Sequence, residues 1–575
     1  MRLKISKSKN VTLYYVIKTV YVNGKEKTKT VEKLGNESEV LQKANGEDPV
    51  VWAKKYVKEL NKKELEETRD VLITKSPSKL IEKNNQNTFN CGYLFLEKLY
   101  YQLKIDEICK EITRRHKFEF DLDNILSRLV YSRIINPASK LATTEDSKKF
   151  IEQPNFELQH VYRALEIIAK ENEFIQSQLY KNSLDISKRK TGILYYDCTN
   201  YFFEIEQEDE LRRYGPSKEH RPNPIVQMGL FMDGDGIPLA FNINSGNTQE
   251  QTTLTPLEKT IIQDFNLSKF IVCTDAGLSS TSNRKFNDID NRAFITTQSI
   301  KKLKKFLMDW ALSPTDWHIM GDSNIYNINE IEKNEAAYTN FKDKIFYKER
   351  WIKENDIEQR LIITYSLKYK NYQRQIRNAQ IERAQKAIHD KGFELDRYRQ
   401  TDFKRFIKKT NITVDGEVAA KKVLSIDTSV IENEEKFDGF YGVCTNLEGA
   451  VEEIIKVNHR RWEIEESFRI MKTEFKARPV YLSREDRIRA HFITCFIALL
   501  IHRLLEKKLE EKFSCEEIIE CLRNMELVES NGYGYIPAYT RTDLTDELHE
   551  KFGFRTDYEI TSTKKLKNIL KSLKK

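Results

Sequence analysis

The sequence predicts a mixed α/β fold, a central sheet flanked by helices, on three observations. Apolar residues recur at three- and four-residue spacing between about 50 and 185; the period then changes to short β-rich runs separated by turn signals; and after 446 the helical period returns. At 575 residues the chain exceeds what one hydrophobic core holds, so length predicts about three or four domains.

The elements follow in order. VTLYYVIKTVYVNGKEKTKTVEKLG (11–35) reads as two strands joined at Asn23-Gly24, a strong hairpin signal, with Lys25, Lys27, Lys29 and Lys33 giving the second strand a basic outer face. CGYLFLEKLYYQLKIDEICKEI and HVYRALEIIAKENEFIQSQLY carry helical spacing. TGILYYDCTNYFFEIE (191–206) is β-rich, and PIVQMGLFMDGDGIPLAFNINSG (224–246) is two apolar runs around Asp233-Gly234-Asp235-Gly236, a second hairpin. TPLEKTIIQDF reads as helix, KFIVCTDAG as a short buried strand ending in a turn, and RAFITTQS as a further strand. Residues 320 to 445 interrupt the series with strand-like stretches (KIFYKERWIK, QRLIITYSLKY), a polar helix from about 370 to 390 and a return strand DGFYGVCTN. Residues 486 to 527 are helical, and STKKLKNILKSLKK is a basic amphipathic tail.

Composition narrows the function. Hydrophobic residues at 39% with 11% aromatics indicate packed cores, and 96 Lys plus Arg against 88 Asp plus Glu leave a mild excess of +8 that suits a polyanionic partner without demanding one. The eight cysteines form no CxxC pair and the nine histidines no HExxH, so neither a zinc site nor a disulfide framework is indicated and a reducing cytosol is expected. MRLKISKSKN lacks a hydrophobic signal region, and the apolar run FITCFIALLI (492–501) is about half a bilayer span; the expectation is a soluble intracellular protein without a membrane partner.

Three acids attract notice. Asp197 sits within the apolar run ILYYDCTNYFF, where an unpaired charge costs several kcal/mol, and Asp275 closes the buried strand IVCTDAG at the end where α/β sites usually lie. HRRWEIEESFRIMK (459–472) holds neither Gly nor Pro and reads as one helix. On a wheel of about 100° per residue, Val457, Ile464, Phe468, Met471 and Phe475 form a core stripe, and Arg461, Glu465 and Lys472, with Asn458 one heptad earlier, form a second stripe beside it. Glu463, Glu466 and Glu474 point away and read as solvated. Each feature has a plainer account: an Arg461–Glu465 pair at i,i+4, a turn cap at Asp197, a helix cap at Asp275. Two acids from neighbouring strands repel each other unless a cation lies between them, and hard carboxylate oxygens suit Mg²⁺ or Mn²⁺, with Glu465 as the third acid of a two-metal site.

The tract NHRRWEIEESFRIMK resembles the Tyr-x2-Arg-x3-Glu-x6-Lys signature of DDE transposases of bacterial insertion sequences, with Arg461, Glu465 and Lys472 at matching spacing. YYDCTNYFFE and VCTDAG are similar to that family's first and second aspartate motifs, YGPSKEHRPNPIVQMGL to the stretch before its second strand, and DGFYGVCTN to its return strand. Where the family has Tyr this chain has Asn458, followed by His459; Asn hydrogen-bonds a phosphate but does not stack on a base.

The resemblance implies a ribonuclease-H-like fold with a largely β insertion, and a domain order of 1–85 (hairpin and helix) and 86–185 (helical), both candidate DNA-binding regions, then 186–320 and 446–490 (the split catalytic domain), 321–445 (insertion) and 491–575 (helical, with the basic tail). It implies an enzyme that binds double-stranded DNA at the inverted repeats of a mobile element, works as a homodimer in the bacterial cytoplasm, and cuts and joins strands with two Mg²⁺ or Mn²⁺ ions held by Asp197, Asp275 and Glu465. Arg461, Lys472, Asn458, His459, Lys218, His220 and Arg221 are the implied DNA contacts. A divalent-metal nuclease on the same fold, or a transposase-derived DNA-binding protein without chemistry, are the alternatives.

Overall fold

The computed structural model describes residues 1–8, 11–22, 25–68, 71–73, 75–289, 291–390, 395, 402–412, 421–530 and 532–574. It divides into two compact units, one of Met1–Phe89 with Glu526–Arg541 and Phe554–Ser572, the other of Asn90–Met525 with Thr542–Gly553 and Leu573–Lys575.

In the first unit β1 (Arg2–Lys7), β2 (Thr12–Val22) and β3 (Lys25–Asn36) form an antiparallel sheet. Two strands were expected; β1 is the addition, its Ile5 opposite Tyr14 of β2. The hairpin turn read at Asn23-Gly24 lies outside the described residues, whereas Lys27, Lys29 and Lys33 are exposed on β3 as expected. Tyr14, Val16 and Leu34 pack on Val40, Ala53 and Val57, the last two from the helix Pro49–Thr68. β4 (Thr88–Asn90) breaks the stretch read as helical from 50 to 185.

The second unit is built on one nine-stranded sheet. Its strands are β5 (Ile193–Phe202), β6 (Ile225–Asp233), β7 (Pro238–Ser245), β8 (Ile271–Thr274), β9 (Ala293–Gln298), β10 (His318–Ile319), β11 (Ile345–Glu354) and β12 (Ile357–Ser366), and, beyond the separate pair β13 (Ile407–Ile412) and β14 (Lys421–Ile426), β15 (Phe440–Thr445). The order across it is β10-β11-β12-β15-β9-β8-β5-β6-β7, with β5–β8 and β8–β9 parallel and the remaining pairs antiparallel. An antiparallel meander followed by two strands parallel to its first member is the ribonuclease-H-like arrangement, and it confirms the mixed α/β class.

Both faces of the sheet are covered, which is why β6 is largely apolar and buried at every residue, Gln227 and Asp233 included. Alternation along β5 sends Leu194, Tyr196 and Cys198 to one face, against Leu257 and Ile261 of the helix Leu254–Asp264. Tyr195 goes to the other, with Cys273, Ile295 and Val451, Ile454 and Ile455 of the helix Val451–His459. Each such side chain contributes about 1.5–3 kcal/mol by leaving water.

Residues 321–445 do not form the separate, largely β piece expected. β15 hydrogen-bonds to β9, β12 to β15 and β11 to β12, widening the central sheet, and helices Ile328–Lys333, Glu335–Phe341, Leu367–His389 and Thr428–Glu435 lie among them. The apolar run at 492–501 belongs to a longer helix, Glu485–Lys508, which by length and composition alone is apolar enough to cross a membrane. Here it is a core element, packed against helices Tyr93–Gln102, Leu122–Ile135 and Leu158–Lys170 and against β7, with 89% of its most apolar window buried. The region read as wholly helical after 491 also contains two strands, β16 (Glu526–Ser530) and β17 (Gly534–Pro537), paired with β4 in the order β17-β16-β4.

Candidate active site

The parallel pair β5–β8 sets the site. Ile193, Leu194 and Tyr195 pair with Ile271, Val272 and Cys273, so Asp197 and Asp275, each two residues further on, continue the same register. They share the face of Tyr195 and Cys273 by strand alternation, the face covered by the helix Val451–His459. The next strand extends the row, since Cys273 pairs with Ile295 and Thr297 therefore follows Asp275.

Asp197 is half-buried, and its carboxyl is pushed up to about 6, first by burial and then by Asp275, against the pull of Lys218 and Arg461. Its Oδ1 accepts a local bond from the Cys198 amide at 2.7 Å. Asp275 Oδ1 accepts from the Leu278 amide at 3.0 Å, which closes the turn after β8; the helix cap considered for Asp275 is supplied instead by Ser280.

The tract 459–472 is not one helix. It divides into Val451–His459 and Trp462–Thr473, because Arg461, Glu463 and Ile464 donate to the carbonyls three residues back, those of Asn458, Arg460 and Arg461, at 3.4, 3.2 and 3.1 Å. These tighter bonds shift the phase of the second helix relative to the first. Glu463, expected in solvent, is 8% exposed, bonded by Arg460 Nε and Nη2 at 3.1 and 2.9 Å and seated where Gly236, at φ +75°, leaves room that a Cβ would fill. Glu466 pairs with Arg469 at 2.8 Å. The side chain of Glu465 is 65% exposed and lies 3.9 Å from Arg461 Nη2.

Arg461 ties this helix to the row of acids. Its Nη1 donates to Thr297 Oγ1 at 2.8 Å, and its charge reaches Asp197. At the far end of the helix Lys472 Nζ donates to Thr199 Oγ1, two residues beyond Asp197 on the same face, at 2.7 Å, and lies 3.3 Å from Glu219. Burial, with Lys218 next, lowers Lys472 to about 8. Lys218 Nζ donates to the Cys198 carbonyl and lies 3.3 Å from Glu250, and Asp197 and Glu250 hold it charged above its usual range against the cost of burial. Arg221 stacks over Phe202 at 4.2 Å and reaches Glu219 at 4.0 Å.

The structure thus gathers Asp197, Asp275, Lys218, Arg461 and Lys472, with Glu465 attached through Arg461. His220 and His459 are exposed. Asn458 is corrected: it is 5% exposed, its Nδ2 donates to Tyr441 Oη at 3.1 Å and its Oδ1 faces Cys273 Sγ at 3.9 Å, so it is an interior residue and does not present itself to DNA. Sequence reading missed Thr199, Thr297, Glu219, Glu250 and Tyr441. Thr199 was accessible from strand alternation with Asp197, and Glu219 stands within the quoted YGPSKEHRP segment. A His502, Glu506 and Cys515 cluster that could hold a metal lies elsewhere, and there Arg503 Nη1 already pairs with Glu506 at 2.9 Å.

Two carboxylates at the end of a parallel strand pair, flanked by cations and with Glu465 on the adjoining helix beside Arg461, offer hard oxygen donors beside groups that bind phosphate. The chain shows similarity to the solved piggyBac transposase in its synaptic complex with hairpin DNA, at 8% identity and a TM-score of 0.35 over 84% of each chain. No curated protein matches. A family model, Transposase DDE domain, matches residues 202–501, just over half of the chain, in a span that starts at the last residue of β5 and holds both Asp275 and Glu465 but not Asp197. With that match over more than half of its length, the chain belongs to the transposase DDE domain family.

Proposed function

We propose that this chain is a transposase that binds the ends of an insertion sequence and both cuts and joins DNA strands, with Asp197, Asp275 and Glu465 holding two divalent ions. The observation that carries the reading is the proximity of Asp197 and Asp275, each two residues past the paired end of β5 and β8. Their mutual repulsion, together with burial, raises the Asp197 carboxyl, and a divalent cation between them removes both objections. The donor set is all carboxylate, which suits Mg²⁺ or Mn²⁺ over softer metals.

Asp197, Asp275 and Glu465 would be the residues that hold the ions. When bound, such ions activate a water or a 3′-hydroxyl and stabilise the leaving oxygen. Arg461 and Lys472, fixed on Thr297 and Thr199, hold phosphates of the scissile strand in line with the acids, and Lys218 adds a third cation at the β5 end. Such contacts position DNA without reading sequence, so terminal-repeat recognition falls to the basic face of β3 and to the helical region 86–185, within the domain order given above. Joining two ends calls for at least two protomers, and with the resemblance the reaction is assigned to the bacterial cytoplasm.

The test is a strand-transfer assay with duplex DNA carrying the element ends and Mg²⁺. Cleavage and joining that Asp197→Ala, Asp275→Ala and Glu465→Ala each abolish supports the assignment; cleavage that survives all three overturns it. Cleavage without joining makes the chain a nuclease on the same acids.

A further inference from the structure

A cavity of about 290 Å³ lies outside the row of acids, lined by Arg133, Lys140, Lys476, Arg478, His491 and Tyr481 among others, and no carboxylate among the described residues lines it. Lys140 is 6% exposed and its Nζ has no hydrogen-bond partner. Arg133, 5% exposed, spends Nη1 on the Phe475 carbonyl at 3.1 Å and Nη2 on the Ala138 carbonyl at 3.3 Å, and its Nε is also left without a partner. Two buried cationic donors without an acceptor are costly, and proteins retain such groups where a ligand supplies the missing charge. Burial and then Arg133 pull Lys140 down to about 7, the expected response of an ammonium that lacks its counter-ion.

The remaining wall suggests what the counter-ion is attached to. Pro479, Val480 and Tyr481 form an apolar and aromatic side, and the volume sits at the lower end of the roughly 300–1,000 Å³ typical of small-ligand sites. Arg478 pairs with Glu219, which also lies 3.3 Å from Lys472, so the cavity adjoins the cations of the acid site through one shared carboxylate. A clustered set of Lys and Arg donors without acids matches a multiply charged oxyanion.

We propose that this cavity binds a phosphate group, carried either by a free mononucleotide or by the backbone of a bound DNA strand. The site is independent of the metal-holding role given to Asp197, Asp275 and Glu465.

The experiment uses the full chain and three probes, inorganic phosphate, dAMP and a duplex oligonucleotide, on wild type, Lys140→Met and Lys476→Gln, read by thermal shift and direct titration. Lys140→Met removes an unpaired buried charge and is expected to raise the ligand-free Tm while weakening phosphate binding at least about tenfold. Lys476→Gln, on the exposed rim, carries the same comparison if Lys140→Met does not fold. Binding of phosphate and dAMP that these substitutions weaken identifies a free-nucleotide site. Binding of duplex alone, weakened in the same way, identifies a backbone site. Equal responses of wild type and variants to all three probes overturn the proposal.

Discussion

Asp197 and Asp275 each lie two residues past the last paired residues of a parallel strand pair, Tyr195 and Cys273, close enough for the charge of one to act on the other. The carboxyl of Asp197 is thereby raised to about 6, by burial first and by its partner second.

That shift has a pH consequence. A folded carboxyl above its unfolded value of about 3.9 keeps its proton as pH rises, so its stabilising contribution is complete below about 4 and lost as pH climbs through about 6. Asp197→Asn is expected to raise Tm at pH 8 in the absence of divalent ions, and excess Mg²⁺ to shrink the difference. Calorimetry at pH 4, 6 and 8 checks it. Mg²⁺ affinity is expected to fall as pH drops below about 6, because proton and metal compete for one carboxylate.

The neighbouring glutamates have distinct fates. Glu465→Gln is expected to reduce metal-dependent cleavage by at least about 100-fold with Tm unchanged, since its side chain is 65% exposed. Glu463→Gln is expected to cost about 0.5–1.5 kcal/mol of stability by weakening the half-exposed pair with Arg460, with metal binding retained. Glu466→Gln is expected to change neither. Urea titration beside a cleavage assay separates the three, and loss of cleavage in Glu466→Gln alone would contradict the phase of the helix Trp462–Thr473.

Arg461→Ala and Lys472→Ala are expected to weaken DNA binding by about 10-fold or more while Mg²⁺ binding persists. Because Lys472 sits at about 8, its share of DNA affinity is expected to fade as pH rises through 8, and the Lys472→Ala variant to lack that part of the pH profile. Fluorescence anisotropy across pH 7 to 9 provides the measurement.

Asn458→Ala is expected to lose about 0.5–1.5 kcal/mol through the missing bond to Tyr441, with DNA affinity unaltered, because the residue is interior. A matched loss of DNA affinity at unchanged stability would return Asn458 to the DNA surface.

Much of this was legible in the residues. A lone Asp inside ILYYDCTNYFF, another closing IVCTDAG, and Arg461, Glu465 and Lys472 at fixed spacing identify the candidate acids and cations, because strand and helix periods decide which face a side chain takes. Only the tertiary structure decided that 197 and 275 fall in register, since the pairing partner of a strand is a long-range choice that local period does not encode. The same holds for β11, β12 and β15, whose apolar patterns state that they are strands but not that they widen the central sheet. The helix phase was lost over a single turn of bonds to the third residue back at Arg460 and Arg461, and with it the fates of Asn458 and Glu463. Periodicity is a local property and is reset wherever the backbone hydrogen bonding changes; the partners that anchor the site, Thr297, Thr199 and Glu219, are contacts between segments distant in the chain.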